Sequence, residues 1–168
     1  MKKEMTEVRR IGVTRKMQFA EAVGNLVRNR YKSYLQTVGG TASFLNKFLA
    51  ATRDDSDAAW EHRDEFTELM SSEGIHIELN GLKLDSLLKP MVSLYIDFDL
   101  GIGGAWEVCG YYVDLLPGGD VVVTDMLLLG SDGRETKVHG NDLHWDYFTN
   151  VIEAALVLNT ENLLALAA

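Results

Sequence analysis

Residues 92–130 read VSLYIDFDLGIGGAWEVCGYYVDLLPGGDVVVTDMLLLG, in which two glycine-rich breaks separate three apolar runs. The breaks, Gly101–Gly104 and Pro117–Gly119, are too short to hold a crossover helix. Long runs rich in Val, Leu and Tyr that are joined by tight turns are typical of an antiparallel meander. We therefore expect strands at about 92–100, 105–116 and 120–130, with a weaker strand at 134–139.

The segment before this meander changes from helical spacing to alternation. Ile75, Ile77 and Leu79 alternate with polar residues, and Asn80-Gly81 follows. Asn-Gly is a strong signal for a two-residue hairpin because both residues tolerate positive φ. The sequence thus predicts a hairpin that pairs Leu79 with Leu82 ahead of the meander.

Helical periodicity dominates the N-terminal part of the chain. Residues 15–38 repeat apolar side chains at helical spacing, and Gly39-Gly40 is a stop signal. Thr41 can cap a second helix, and Asp54–Ser56 can start a third that ends near Gly74. These signals predict three N-terminal helices.

A final long helix is predicted after the sheet, with Asn141 or Asp142 as its cap. The fold class is therefore α+β: N-terminal helices, a β-hairpin, a curved antiparallel meander of about four strands and a C-terminal helix. We expect one domain over residues 1–168, with a basic N-terminal arm at 1–14 and a tail at 159–168. Helices that precede a curved meander resemble the cone-shaped nuclear-transport-factor-2-like superfamily, to whose usual plan the C-terminal helix is an addition.

The formal net charge of -9 is unevenly distributed. Residues 1–32 hold nine Lys or Arg and three Glu, whereas the rest of the chain holds seven basic and 22 acidic residues. An acidic body repels phosphate backbones, so direct nucleic-acid binding is disfavoured except through the basic arm. It suits a basic protein partner.

Other composition features exclude several classes of protein. The single cysteine rules out an intrachain disulfide framework, and no apolar run is long enough to span a membrane. The charged start of the chain does not look like a secretory signal, so we expect a cytoplasmic protein.

Strict alternation along the meander predicts two different faces. One is apolar and carries Cys109 and Val122 among its members, so we expect helices to cover it and Cys109 to be a small core residue. The other mixes aromatic, aliphatic and acidic side chains without a basic one: Tyr95, Asp97, Asp99, Trp106, Val108, Gly110, Tyr112, Asp114, Val123, Asp125 and Leu127.

Three interpretations of the mixed face remain open. It is a protein-binding or dimer surface, the wall of a ligand pocket, or a face covered by the N-terminal segment through Arg9 and Arg10. The preferred hypothesis is a non-catalytic acidic binding protein, of the inhibitor, immunity or chaperone-like kind, that engages a basic partner. The binding residues would be Tyr95, Asp97, Asp99, Trp106, Tyr112 and Asp125.

The alternative is an enzyme or small-ligand binder. Asp97 or Asp125 would then be the general base and Tyr112 a hydrogen-bond donor. Homodimerisation through the same face is compatible with either hypothesis, and no cofactor is indicated.

Two metal sites are weaker alternatives. Asp97, Asp99 and Asp125 offer carboxylates to Mg²⁺ or Mn²⁺. His139, Asp142 and His144 lie at the junction between the last strand and the final helix and offer ligands to a transition metal. Their spacing matches no metal signature, and Asp142 already has a role as a helix cap.

The last ten residues read NTENLLALAA. They resemble the bacterial tmRNA degradation tag, which ends Asn-Asp-Glu-Asn-Tyr-Ala-Leu-Ala-Ala, but they carry Thr160 for Asp and Leu163-Leu164 for a single Tyr. The resemblance implies that Leu166, Ala167 and Ala168 would be read by an unfoldase and 159–163 by its adaptor. The alternative is a docked helix, because Ala and Leu favour helices.

Overall fold

The computed structural model describes residues 2–53, 57–84, 90–98, 105–139 and 144–167. These residues form five helices and one five-stranded sheet. In chain order the elements are α1 (Lys2–Val38), α2 (Thr41–Arg53), α3 (Asp57–Met70), β1 (Ile75–Leu84), β2 (Pro90–Phe98), β3 (Trp106–Leu115), β4 (Val121–Gly130), β5 (Glu135–His139), α4 (His144–Tyr147) and α5 (Thr149–Ala167).

The sheet is an antiparallel meander in which each strand pairs with the next one along the chain, in the order β1-β2-β3-β4-β5. A tight turn joins β3 to β4. The Leu116 amide donates to the Asp120 carbonyl at 2.8 Å, and Gly119 between them has a φ of 92°. The predicted α+β fold with N-terminal helices, a meander and a C-terminal helix is confirmed.

The predicted hairpin at Asn80-Gly81 is wrong. β1 runs straight through these residues and pairs with β2 along its whole length, with a bulge between Leu79 and Gly81. The bulge has a physical use, because Leu79 and Leu82 are three residues apart and would point to opposite faces of a regular strand. The extra residue returns Leu82 to the core side, where it packs partly buried.

The helices differ from the prediction at their ends. α1 begins at Lys2, so residues 2–14 of the expected basic arm at 1–14 belong to the first helix. The final helix is divided at Phe148 into the short α4 and the longer α5. α5 continues without a break to Ala167, so the expected tail at 159–168 is helical as far as the structure describes it.

The core lies between the helices and one face of the sheet. Phe19 of α1 packs against Tyr111 and Phe98, with ring centroids 4.6 and 6.1 Å apart. Asn159 of α5 is buried and donates to the Tyr111 hydroxyl at 2.7 Å. The buried side chains of α1 and α5 therefore face the same side of the sheet. We call the opposite surface of the sheet the open face.

Candidate functional site: the open face and its cavity

Two bulges in β3 and β4 decide which side chains reach the open face. The register shifts between Val108 and Gly110 and again between Tyr112 and Val113. As a result, Cys109 and Val122, expected in the core, do not lie there, and Val122 is 46% exposed.

Three residues expected on the mixed face belong to the helix side instead. Val108 and Val123 are buried in the core, and Trp106 stacks edge-on against Phe148 at 4.8 Å. Trp106 is therefore corrected from a binding residue to a core neighbour. The reason is that each bulge adds one residue to a strand, which reverses the alternation beyond it.

The remaining predicted residues do come together. The open face carries an acidic and aromatic surface that spans all five strands. Its described side chains include Glu78, Tyr95, Asp97, Glu107, Tyr112, Asp114, Asp125, Leu127, Glu135, Lys137 and His139. Asp99 lies outside the described residues, and the side chains of Arg9 and Arg10, expected to cover this face, are also not described.

An aromatic pair forms the centre of the open face. Tyr95 and Tyr112 are directly opposite each other on β2 and β3, with ring centroids 5.1 Å apart. The Tyr95 ring lies across Gly110, where any Cβ would collide with it, and its hydroxyl donates to the Cys109 carbonyl at 3.4 Å. Both rings remain partly exposed.

A lysine lies beside this aromatic pair, although the sequence predicted no basic residue on the face. The Lys137 ammonium of β5 sits 4.4 Å from the centroid of the Tyr112 ring. That distance is within the range of a cation–π interaction. The prediction missed Lys137 because it considered only the three long strands and left β5 out.

Asp125 is already engaged by its neighbours. Its carboxylate contacts Nδ1 of His139, the residue opposite it on β5, and only 13% of its side chain is exposed. Burial lowers the pKa of Lys16 on α1, and the Asp125 carboxylate partly opposes this by raising it. Asp125 thus belongs to a small charge cluster at the β4–β5 edge.

Asp97 lies at the other end of the face and lines an open cavity of about 480 Å³. The cavity is bounded by the α3–β1 connection and by the ends of β2 and β3, including His76, Glu107 and Cys109. Asp125 and Tyr112 are not among its lining residues. The three residues of the enzymatic alternative therefore do not share one pocket.

Burial and neighbouring carboxylates raise the pKa values of two groups at the open face. Burial, with a further contribution from the Asp97 carboxylate, raises the pKa of Tyr95 to about 12. Burial and the nearby Glu135, Glu107 and Asp97 carboxylates raise the pKa of the Cys109 thiol. A thiol held in its protonated form is a poor nucleophile, although Cys109 lies outside the core in which it was expected.

Neither predicted metal site is assembled among the described residues. These residues contain no group of three His, Cys, Asp or Glu side chains that could hold a metal ion. Asp97 and Asp125 are on β2 and β4 with β3 between them, so two strand spacings of about 4.8 Å separate them. Asp142 lies outside the described residues, as does the side chain of His144, and His139 pairs with Asp125 instead.

The C-terminal residues that resemble a degradation tag are mostly part of the packed α5. Asn159 and Leu163 are buried against the core, and Leu166 is 41% exposed. Ala167 ends the helix, and Ala168 lies outside the described residues. In the segment that an adaptor would read, Asn159 and Leu163 are thus buried whereas Glu161 is exposed, and the degradation signal stays a prediction.

The fold and the face together define an α+β protein with helices on one side of a five-stranded meander and an acidic, aromatic surface on the other. Comparisons with family models, with curated proteins and with solved structures give no match. Among the described residues, no helix is long and apolar enough to cross a membrane.

Proposed function

We propose that this chain is a non-catalytic binding protein that engages a basic segment of a protein partner through the open face. The observation that carries the proposal is the Tyr95–Tyr112 pair, which is partly exposed at the centre of a sheet surface rich in carboxylates. Aromatic anchors with a charged surround are the usual composition of a protein-binding surface.

Charge favours a basic partner over an acidic or neutral one. The described side chains of the open face include five carboxylates besides that of Asp125, those of Glu78, Asp97, Glu107, Asp114 and Glu135. The described lysine on this face is Lys137. Opposite charge on a partner speeds encounter and excludes acidic competitors.

The tyrosine rings would contribute cation–π contacts to a basic partner, in addition to the charge attraction. Arginine and lysine stack on aromatic faces, and Lys137 already does so on Tyr112. A guanidinium from the partner could occupy the Tyr95 side of the pair while it bonds to Asp97, which lies two residues along the same strand.

A defined peptide tests this proposal. We expect a peptide of alternating arginine and glycine to bind the wild-type protein, and the shifted backbone amides in NMR spectra to lie in β2, β3 and β4. The double variant Asp97→Asn/Asp125→Asn should bind about tenfold more weakly, because it removes the half-buried Asp97 carboxylate and the mostly covered Asp125 carboxylate, and a charge contact near a protein surface contributes about 1 kcal/mol or less. Added salt should weaken binding further.

The matched control is Glu61→Gln/Glu68→Gln, which changes the net charge equally on exposed positions of α3. An equal loss of affinity in this control would show that only bulk charge matters and would contradict the proposal. So would a peptide of alternating glutamate and glycine that binds as well. Sedimentation at the same concentrations measures whether the protein is a dimer. A homodimer that buries the open face would mean that a second copy of the chain, and not a basic partner, binds there.

The cavity beside Asp97 supports a second candidate, a small cationic ligand or substrate held by Asp97 and Glu107. A thermal-shift screen with small amines tests it, since a ligand that binds only the native state raises its melting temperature. Stabilisation that disappears in Asp97→Asn would favour this candidate. Equal shifts in both proteins would exclude Asp97 as its anchor.

A further inference from the structure

A second cavity lies on the helix side of the sheet, away from the open face. Its volume is about 410 Å³, and it opens between α1, the start of α2 and the β3–β4 turn. The walls are largely apolar and come from Leu35, Val92, Leu115, Leu116 and Pro117. A cavity of this size is within the range that small-molecule ligands occupy.

Among the described residues that line this cavity, the charged ones are two cations, Arg28 and Lys32 of α1. This is unusual on a chain whose formal net charge is -9. This cavity thus differs in the sign of its charge from the one on the open face, which is lined by Asp97 and Glu107.

Arg28 is held in a fixed position at the cavity. Its guanidinium donates to the Gly119 carbonyl in the β3–β4 turn and to Oδ1 of Asn25, the latter at 2.7 Å. A guanidinium has five N–H donors, so these two bonds leave it capacity for an anion. Lys32, one helical turn further on, is exposed and can bring its ammonium over the cavity mouth while its stem lies on the apolar wall.

We infer that this cavity binds an amphipathic monocarboxylate, such as a medium-chain fatty acid, with the carboxylate at Lys32 and Arg28 and the apolar chain against Leu35, Leu115 and Leu116. The apolar wall accounts for the chain, and the two cations account for the head group. A short anion would gain little from the wall, and an amphipathic amine would be repelled by the cations.

Three probes separate these contributions in calorimetric titrations of the full chain. Decanoate, below its micelle-forming concentration, should bind, and it should shift the backbone amides of Leu35, Leu115 and Gly119 in NMR spectra. Acetate carries the charge without the chain, and decylamine carries the chain with the opposite charge. Neither should bind at the same concentrations.

Charge reversal at the cavity mouth then tests the head-group contact. Lys32→Glu should weaken decanoate binding by about tenfold or more, because a hydrogen bond to a charged group contributes that much. Lys32→Arg should retain binding. Lys47→Glu, an exposed position on α2 that does not line this cavity, makes the same charge change and should leave the affinity unaltered.

Several results would overturn the inference. They are no binding of decanoate, equal binding of decylamine, equal weakening by Lys47→Glu, or amide shifts confined to another surface. Because Lys32 is exposed, its substitution should leave the melting temperature unchanged, and a folded Lys32→Glu protein with full affinity would also contradict the head-group contact.

Discussion

At the scale of single residues, the missing side chain of Gly110 shapes the open face. Gly110 is buried beneath the Tyr95 ring, and a Cβ at this position would overlap the phenol. The glycine therefore lets Tyr95 lie flat across β3 and meet Tyr112. Gly110 directly follows the bulge in β3, at a position where any other residue would place a side chain under the Tyr95 ring.

We expect Gly110→Ala to displace the Tyr95 ring and to lower the free energy of unfolding by about 1–3 kcal/mol, the usual cost of forcing extra atoms into a packed site. Urea unfolding measures the stability, and the aromatic NMR signals of Tyr95 report the displacement. Gly118→Ala is the control, because a Cβ at Gly118 meets no atom within 4 Å. Equal effects of the two substitutions would refute a specific role for Gly110.

At the scale of secondary-structure elements, the bond between Asn159 and Tyr111 joins α5 to the sheet. The Asn159 amide donates to the Tyr111 hydroxyl at 2.7 Å, and both residues are buried. Tyr111→Phe removes the acceptor and leaves a buried donor without it. We expect this to lower the free energy of unfolding by about 1–3 kcal/mol.

Thermal or urea unfolding measures this effect, and Tyr147→Phe is the matched control. Tyr147 is 77% exposed, so loss of its hydroxyl should cost little. If Tyr111→Phe proved as stable as the control, the bond would not contribute to the docking of α5.

The packing of α5 also sets the expectation for the segment that resembles a degradation tag. Residues 158–168 fused to a stable reporter are no longer packed, so we expect a shorter reporter lifetime in bacterial cells. Ala167→Asp/Ala168→Asp in the same fusion should restore the lifetime. An unchanged lifetime of the first fusion would exclude the degradation signal.

The order of the strands could be predicted from the sequence, whereas the bulges could not. The apolar runs and glycine-rich breaks predicted β2, β3, β4 and β5 in their observed order because hairpin connections are local. The bulges could not be predicted, since each depends on how a strand pairs with its neighbour. That is why Trp106 was assigned to the wrong face.

The hairpin predicted at Asn80-Gly81 is wrong for a related reason. The dipeptide permits a tight turn, but it also permits a bulge, and the local sequence does not distinguish them. The partner strand β2 decides the outcome by pairing with β1 on both sides of the bulge. The prediction is correct for the face that carries Tyr95, Asp97, Tyr112 and Asp125. Tyr112 pairs directly with both Tyr95 and Asp125, and no bulge separates Tyr95 from Asp97 on β2.

At the scale of the whole molecule, buried and partly buried tyrosines link the stability of the fold to alkaline pH. Burial raises the pKa of Tyr31, Tyr34 and Tyr95 to about 12, with smaller contributions from Tyr34, Glu65 and Asp97 respectively. Burial also raises the pKa of Tyr111. In the unfolded chain these groups titrate near their ordinary pKa of about 10.

The sign of the pH dependence follows from the binding of protons. Between about pH 10 and pH 12 the folded protein keeps the tyrosine protons that the unfolded chain has lost, so the free energy of unfolding falls as pH rises. Below about pH 10 both states are protonated, and this contribution is fully present. Lys16 and Arg30 act in the opposite sense, because burial lowers the pKa of each, but the four tyrosines outnumber them.

We therefore expect urea midpoints to change little with tyrosine ionisation below about pH 10 and to fall steeply above it. Tyr34→Phe removes one of the responsible groups, so its midpoint should fall less steeply over the same range, whereas Tyr147→Phe at an exposed position should follow the wild type. Absorbance of tyrosinate at each pH shows whether ionisation accompanies unfolding. Ionisation of all the tyrosines before the unfolding transition would mean that their burial does not protect them, and the proposed linkage would be wrong.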